Sequence, residues 1–187
     1  MRLPLLLLLS LLLAACPEDT GLQCPPNTSV VGQYALTFNG ISDAGQCIAG
    51  DAGPDGGPLP LTLDASFVKG VTLCVAASSD GGPQLQLVSP GKGVKTSDLL
   101  ADGGFHFGGA PVTQGQTACS CDVNITETID GYLVTSGPFT LQPDGGLPPI
   151  AGINGTLTDL LTDAGSAIPC LCALPCTVTY SLSGSTF

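Results

Sequence analysis

The chain has 187 residues, only 10% of them charged, and fifteen carboxylates against four basic side chains give a formal net charge of −11. A surface this acidic repels a phosphate backbone and anionic lipid headgroups, which excludes nucleic acid as a natural partner. Nine cysteines in 187 residues point to a disulfide-bearing domain exported to an oxidising compartment.

In chain order, Met1-Arg2 precedes an eleven-residue apolar stretch, Leu3 to Leu13, and then the small residues Ala14 and Ala15. That stretch is too short to cross a bilayer as a helix, which takes about 20 residues, and with its single positive charge it reads as an export signal over residues 1–15. Leu13-Ala14-Ala15-Cys16 resembles the lipobox of bacterial lipoprotein precursors: aliphatic, small, small, cysteine. The resemblance implies a diacylglycerol thioether on Cys16, cleavage before it and acylation of the new amino group. One acyl chain holds a protein only marginally, whereas two or three anchor it firmly. The partner so implied is a membrane, in the bacterial envelope. Pro17, rather than Asp, after the cysteine favours the outer membrane. Loss of residues 1–15 leaves 172 residues and removes Arg2, for a net charge of −12.

Residues 16–29, with Pro17, Pro25, Pro26 and Asn27, lack periodicity and read as the lipidated N-terminus and a spacer; residues 30–187 read as a single β domain. Alternation predicts strands over Val30 to Asn39, Leu59 to Phe67, Val71 to Val75, Gln84 to Leu87, Phe105 to Phe107, Cys119 to Thr126, Tyr132 to Thr135, Phe139 to Leu141, Ile153 to Leu157 and Cys176 to Leu182. Leu157 to Leu161 reads as a strand end or a helical turn, and Gly45 to Pro60 as a long loop. Asp-Gly and Asp-Ala-Gly signals at Asp51, Asp55, Asp80, Asp102, Asp130, Asp144 and Asp163 supply the positive φ angles of tight turns. The expected fold is all-β, an antiparallel sandwich or small barrel of eight to ten strands, stapled by disulfides.

With Cys16 set aside, Cys24, Cys47, Cys74, Cys119, Cys121, Cys170, Cys172 and Cys176 form an even set, which favours disulfides. The economical pairing staples Cys119/Cys121 to the Cys170/Cys172/Cys176 group and leaves Cys47 and Cys74 to the first half. A metal reading of the two thiol clusters is weaker, because neither has zinc-knuckle spacing and His106 lies outside both; no metal is expected. Calcium at Asp51 and Asp55 lacks the closing glutamate of an EF-hand.

Chemistry is sparsely signalled. His106 alternates with Phe105 and Phe107 and so reads as a surface residue. Glu127 with Asp122 or Asp130 is the only acidic cluster on a strand and reads as a solvated face. No phosphate loop or dinucleotide fingerprint occurs, so no cofactor is expected and no catalytic residue is assigned. The expected role is a non-enzymatic envelope lipoprotein with a structural or binding function. Two alternatives stand beside it. Gly32-x-Tyr34 is reminiscent of the start of lipocalin-like barrels and suggests a small-ligand carrier, and paired carboxylates would make an envelope hydrolase.

Overall fold

The computed structural model describes residues 23–43, 47, 70–77, 82–142, 146–165 and 167–186, with the backbone alone for residues 39–43 and 118. The expected strand at Leu59 to Phe67 and most of the Gly45 to Pro60 loop lie outside these residues, as does Cys16.

The described residues form nine strands: β1 (Thr28–Asp43), β2 (Val71–Ala76), β3 (Gln84–Ser89), β4 (Gly93–Asp98), β5 (Gly104–Phe107), β6 (Val112–Gln116), β7 (Cys121–Thr135), β8 (Ile150–Asp163) and β9 (Cys176–Thr186). They build one antiparallel sheet in the order β4-β3-β2-β1-β9-β8-β7-β5, with β6 also on β7. The all-β fold is thus a nearly closed barrel. Its inward side chains follow the period of two: Tyr34 and Leu36 on β1, Leu73 on β2, Leu85 and Leu87 on β3, Phe105 and Phe107 on β5. Val123, Ile129 and Leu133 on β7, Leu157 and Leu161 on β8, and Val178, Tyr180 and Leu182 on β9 complete one core. Each fully buried aliphatic or aromatic side chain contributes about 1.5–3 kcal/mol.

No backbone ladder joins β4 to β5 among the described residues, although the two strands are the ends of the sheet and meet. Side chains close the seam. His106 N–H donates to Ser97 Oγ at 2.8 Å, and Lys92 and Lys95 on the β4 side reach Glu127 on β7. The turn between β4 and β5 follows the Asp-Gly expectation: Gly103 has φ +86°, and Gly104 N–H donates to Asp102 Oδ1 at 2.9 Å. Asp163-Ala164-Gly165 behaves likewise, with Gly165 at φ +78° and its N–H 2.8 Å from Asp163 Oδ1.

Asp130-Gly131 is not a turn, because it lies inside the 15-residue β7 and merges two expected strands into one. Gly131 faces Gly155 across the β7/β8 ladder. A Cβ on Gly131 would stand 2.7 Å from Phe105 Cζ and press on the Asn154 carbonyl, so the glycine makes room for an inward ring. Of the two readings of Leu157 to Leu161, the strand end holds, since the segment completes β8. Two further corrections concern strands. Phe139 to Leu141 is not a strand. β4 and β6 were not expected, because polar and glycine-containing segments such as Gly93-Val94-Lys95 and Val112-Thr113-Gln114-Gly115 carry little apolar alternation. At the N-terminal end, β1 begins at Thr28 and Cys24 is bonded to Cys74, so the spacer ends earlier than residue 29.

Four disulfides brace the barrel: Cys24–Cys74, Cys47–Cys176, Cys119–Cys172 and Cys121–Cys170. The expected staple between the two clusters is present. Cys47, however, crosses to Cys176 on β9 and not to the first half, since β9 lies beside β1 in the sheet.

Candidate functional site

A cleft of about 620 Å3 opens along the seam, between β4 on one side and the β5–β6 connection, β6 and β7 on the other. The barrel's alternation places its charged residues. On β7 the inward set Cys121, Val123, Ile125 continues by two to Glu127, and on β8 Asp159 falls between the buried Leu157 and Leu161. Glu127 and Asp159 are partners in the antiparallel ladder, so two carboxylates stand directly opposite on one face. Like charges in that position repel.

Two lysines offset the repulsion. Lys95 Nζ lies 2.8 Å from Glu127 Oε1 and Lys92 Nζ 3.1 Å from Glu127 Oε2, so both carboxylate oxygens carry an ammonium. Lys95 Nζ also lies 3.5 Å from the Glu127 backbone carbonyl, to which it donates. These ion pairs are largely covered, with side chains 13 to 25% exposed, so they are screened less than surface pairs. The lysines are placed by the β3–β4 hairpin, where Gly91 and Gly93 adopt φ +73° and +76° on either side of Lys92.

Among the described residues Asp159 has no such partner. It is 8% exposed, at the floor of the cleft, and its Oδ1 is buried without a hydrogen bond among the described residues. Burial, and then the neighbouring Glu127, push its pKa up to about 6 against the pull of Lys92 and Lys95. Tyr180, on β9 beside it, is pushed up to about 12 by burial and then by Asp159, and its hydroxyl is also buried without a partner among the described residues. The group therefore holds one carboxylate neutralised by cations and a second whose pKa burial raises to about 6.

The residues singled out by sequence fall elsewhere. Glu127 is not on a solvated face with Asp122 and Asp130: those two occupy even positions on the opposite, outer face of β7. His106 does face outward, 62% exposed, with Nδ1 2.6 Å from Asp130 Oδ1. The sulfurs of both cysteine clusters are bonded in disulfides and are not thiolate ligands. In Gly32-x-Tyr34, a Cβ on Gly32 would meet the Tyr34 hydroxyl at 2.7 Å, so the glycine serves local packing of that ring. Lys92, Lys95 and Asp159 were missed. The signal for Asp159 was an acid at i+2 between two leucines of a strand; that for the lysines was Pro90-Gly91-Lys92-Gly93, a turn without Asp-Gly that carries two of the four basic residues nearby.

The chain matches no family model, no curated protein sequence and no solved structure.

Proposed function

We propose that the protein is a lipid-anchored, non-enzymatic binding protein of the bacterial envelope, held in the outer membrane through Cys16, whose barrel offers the seam cleft to a small ligand. The anchor is read from Leu13-Ala14-Ala15-Cys16. Asp159 carries the binding role: a carboxylate this buried, with an unpartnered oxygen, costs stability and gives a purely structural barrel nothing in return. The cleft's size lies within the range of small-molecule sites, roughly 300–1,000 Å3.

A hydrolase is the second reading, favoured by two inward carboxylates of unlike environment in one cleft. Binding is preferred because Glu127 and Asp159 sit side by side on neighbouring strands of one wall, and both Glu127 oxygens are occupied by lysines. A lipocalin-like carrier fits less well, since Tyr34, Phe107, Leu73, Leu85, Ile129 and Leu157 fill the barrel interior.

Two measurements test the proposal. Cys16→Ser should move the protein from the membrane pellet to the soluble fraction and abolish incorporation of labelled palmitate; unchanged membrane association refutes the anchor. A mixed-charge fragment library, screened by NMR, should perturb amides of Gly91 to Thr96 and Gly108 to Gln114. Hits scattered over the surface, or turnover of chromogenic glycosides or esters that is lost in Asp159→Asn, would refute a non-enzymatic binding role.

A further inference from the structure

Asp159 Oδ1 has essentially no accessible surface and no hydrogen-bond partner among the described residues, so an ionised carboxylate at this position is short of hydration while the barrel stays closed. The charged and titratable groups that face it come from three elements: Glu127 on β7, Lys92 and Lys95 from the β3–β4 hairpin, and Tyr180 on β9. Both lysines are engaged by Glu127, at 3.1 and 2.8 Å. β5 adds none, because His106 points outward to Asp130.

The walls around Asp159 differ in what must break to part them. On either side β8 is held by continuous antiparallel ladders, to β7 from Val123↔Asp163 to Thr135↔Ile150 and to β9 from Gly152↔Ser185 to Leu161↔Cys176. Along the seam, side chains alone span the gap among the described residues: Ser97 Oγ accepts from the His106 N–H, and the two lysines reach Glu127. β4 also puts no apolar side chain into the core. Its inward residues are Lys95 and Ser97, and Val94 is 47% exposed. Swinging β4 outward with its β3 ladder intact therefore uncovers little apolar surface and breaks no backbone ladder, the mark of a low-stability element. The seam is tied at one end, where Leu99 N–H donates to the Pro83 carbonyl and Leu100 N–H to that of Gly104. At the other end Gly91 and Lys92, in the hairpin tip, border the cleft.

We infer that the seam is a pH-sensitive gate: ionisation of Asp159 shifts the barrel toward an open form in which the β3–β4 hairpin swings away from β7 about the Leu99 end and water enters to hydrate the carboxylate. The direction follows from linkage. The closed form pushes the Asp159 pKa up from 3.8 to about 6 with the pull of both lysines already counted, so loss of the proton favours whichever form hydrates the group. Between about pH 5 and about pH 7.5 the ratio of open to closed forms should rise about tenfold. The gate stands whether or not the cleft takes a ligand.

The His106 amide reports the gate, because Ser97 Oγ holds its N–H across the seam. Its exchange with water is followed by NMR on the mature disulfide-bonded protein in detergent, at about pH 5 and about pH 7.5, and corrected for the intrinsic rate. Protection at His106 should be lower than in the β8 ladder at Gly155 to Leu157 at both pH values, and should fall about tenfold between them. In Asp159→Asn it should stay constant within about twofold. Histidines as a class change charge in this window, so His106→Gln is the control, and its residue 106 amide should keep the wild-type response. Protection at residue 106 equal to that of the β8 ladder means that the seam opens only when the whole barrel unfolds, and overturns the gate. A response that is absent in the wild type, persists in Asp159→Asn or is lost in His106→Gln overturns the assignment of Asp159 as its trigger.

Discussion

Replacing Asp159 by asparagine should stabilise the protein near neutral pH and not in acid. The folded state pushes the Asp159 pKa from its ordinary 3.8 to about 6, and each pH unit of displacement corresponds to about 1.4 kcal/mol, so the ionised carboxylate costs the fold about 3 kcal/mol. The sign follows from proton binding. Because the folded state holds the proton more tightly, the group's cost is absent below pH 3.8, grows as pH rises between 3.8 and 6, and is complete above 6. Integrated over that window, the cost is about 1 kcal/mol at about pH 4.5 and about 3 kcal/mol at about pH 7.5. Urea unfolding of the disulfide-intact wild type and Asp159→Asn at those two pH values should show the variant's relative stability rising by about 2 kcal/mol. The amide is itself partly unsatisfied in the site, which offsets the absolute gain at both pH values but not the difference. A difference that is independent of pH, or one that shrinks as pH rises, would refute the assignment of Asp159 as a buried carboxylate held against its charge.

The charges around Asp159 predict opposite responses to two substitutions: Glu127→Gln removes a repulsive neighbour and should lower its pKa, and Lys95→Met removes an attractive one and should raise it, read by carboxyl carbon NMR titration. Gly131→Ala drives a methyl against Phe105 and the Asn154 carbonyl, and should lower stability by about 1–3 kcal/mol in urea unfolding. Cys119 and Cys172 are 53 residues apart, but the Cys121–Cys170 bond, with a separation of 49, keeps nearly all of that loop closed, so serine at Cys119 and Cys172 should cost only about 2 kcal/mol in urea unfolding. Thiol titration of unfolded, unreduced protein should find none of the eight domain cysteines reactive, and several reactive thiols would contradict the four pairs.

Much of the barrel was legible because period-two alternation and Asp-Gly turns are local signals. β2, β3, β5 and β9 could be read that way, as could the turns at Asp102 and Asp163. So could the outward side chain of His106 and the staple between the two Cys-x-Cys clusters. The misreadings share a cause. Asp130-Gly131 has a turn's composition, but its glycine is there for the ring of Phe105, a neighbour 26 residues away that only the β5/β7 pairing brings over it. β4 is illegible locally because its alternation is carried by Lys95 and Ser97, polar residues that face inward for the seam.

The division between the two sources follows from range. By itself the chain determined the all-β class, the even cysteine set, the acidic surface and the lipobox-like Leu13-Ala14-Ala15-Cys16, all of which depend on residues within a few positions of one another or on totals. Tertiary structure alone decided the closure into a barrel, the partner of Cys47 and the candidate site. Glu127 and Asp159 are 32 residues apart and Lys92 a further 35 before Glu127; they meet because β7 pairs with β8 while the far edge of the sheet curls round to bring β4 against β7. No local pattern encodes that meeting, since it is set by the register of one ladder and the curvature of the whole sheet.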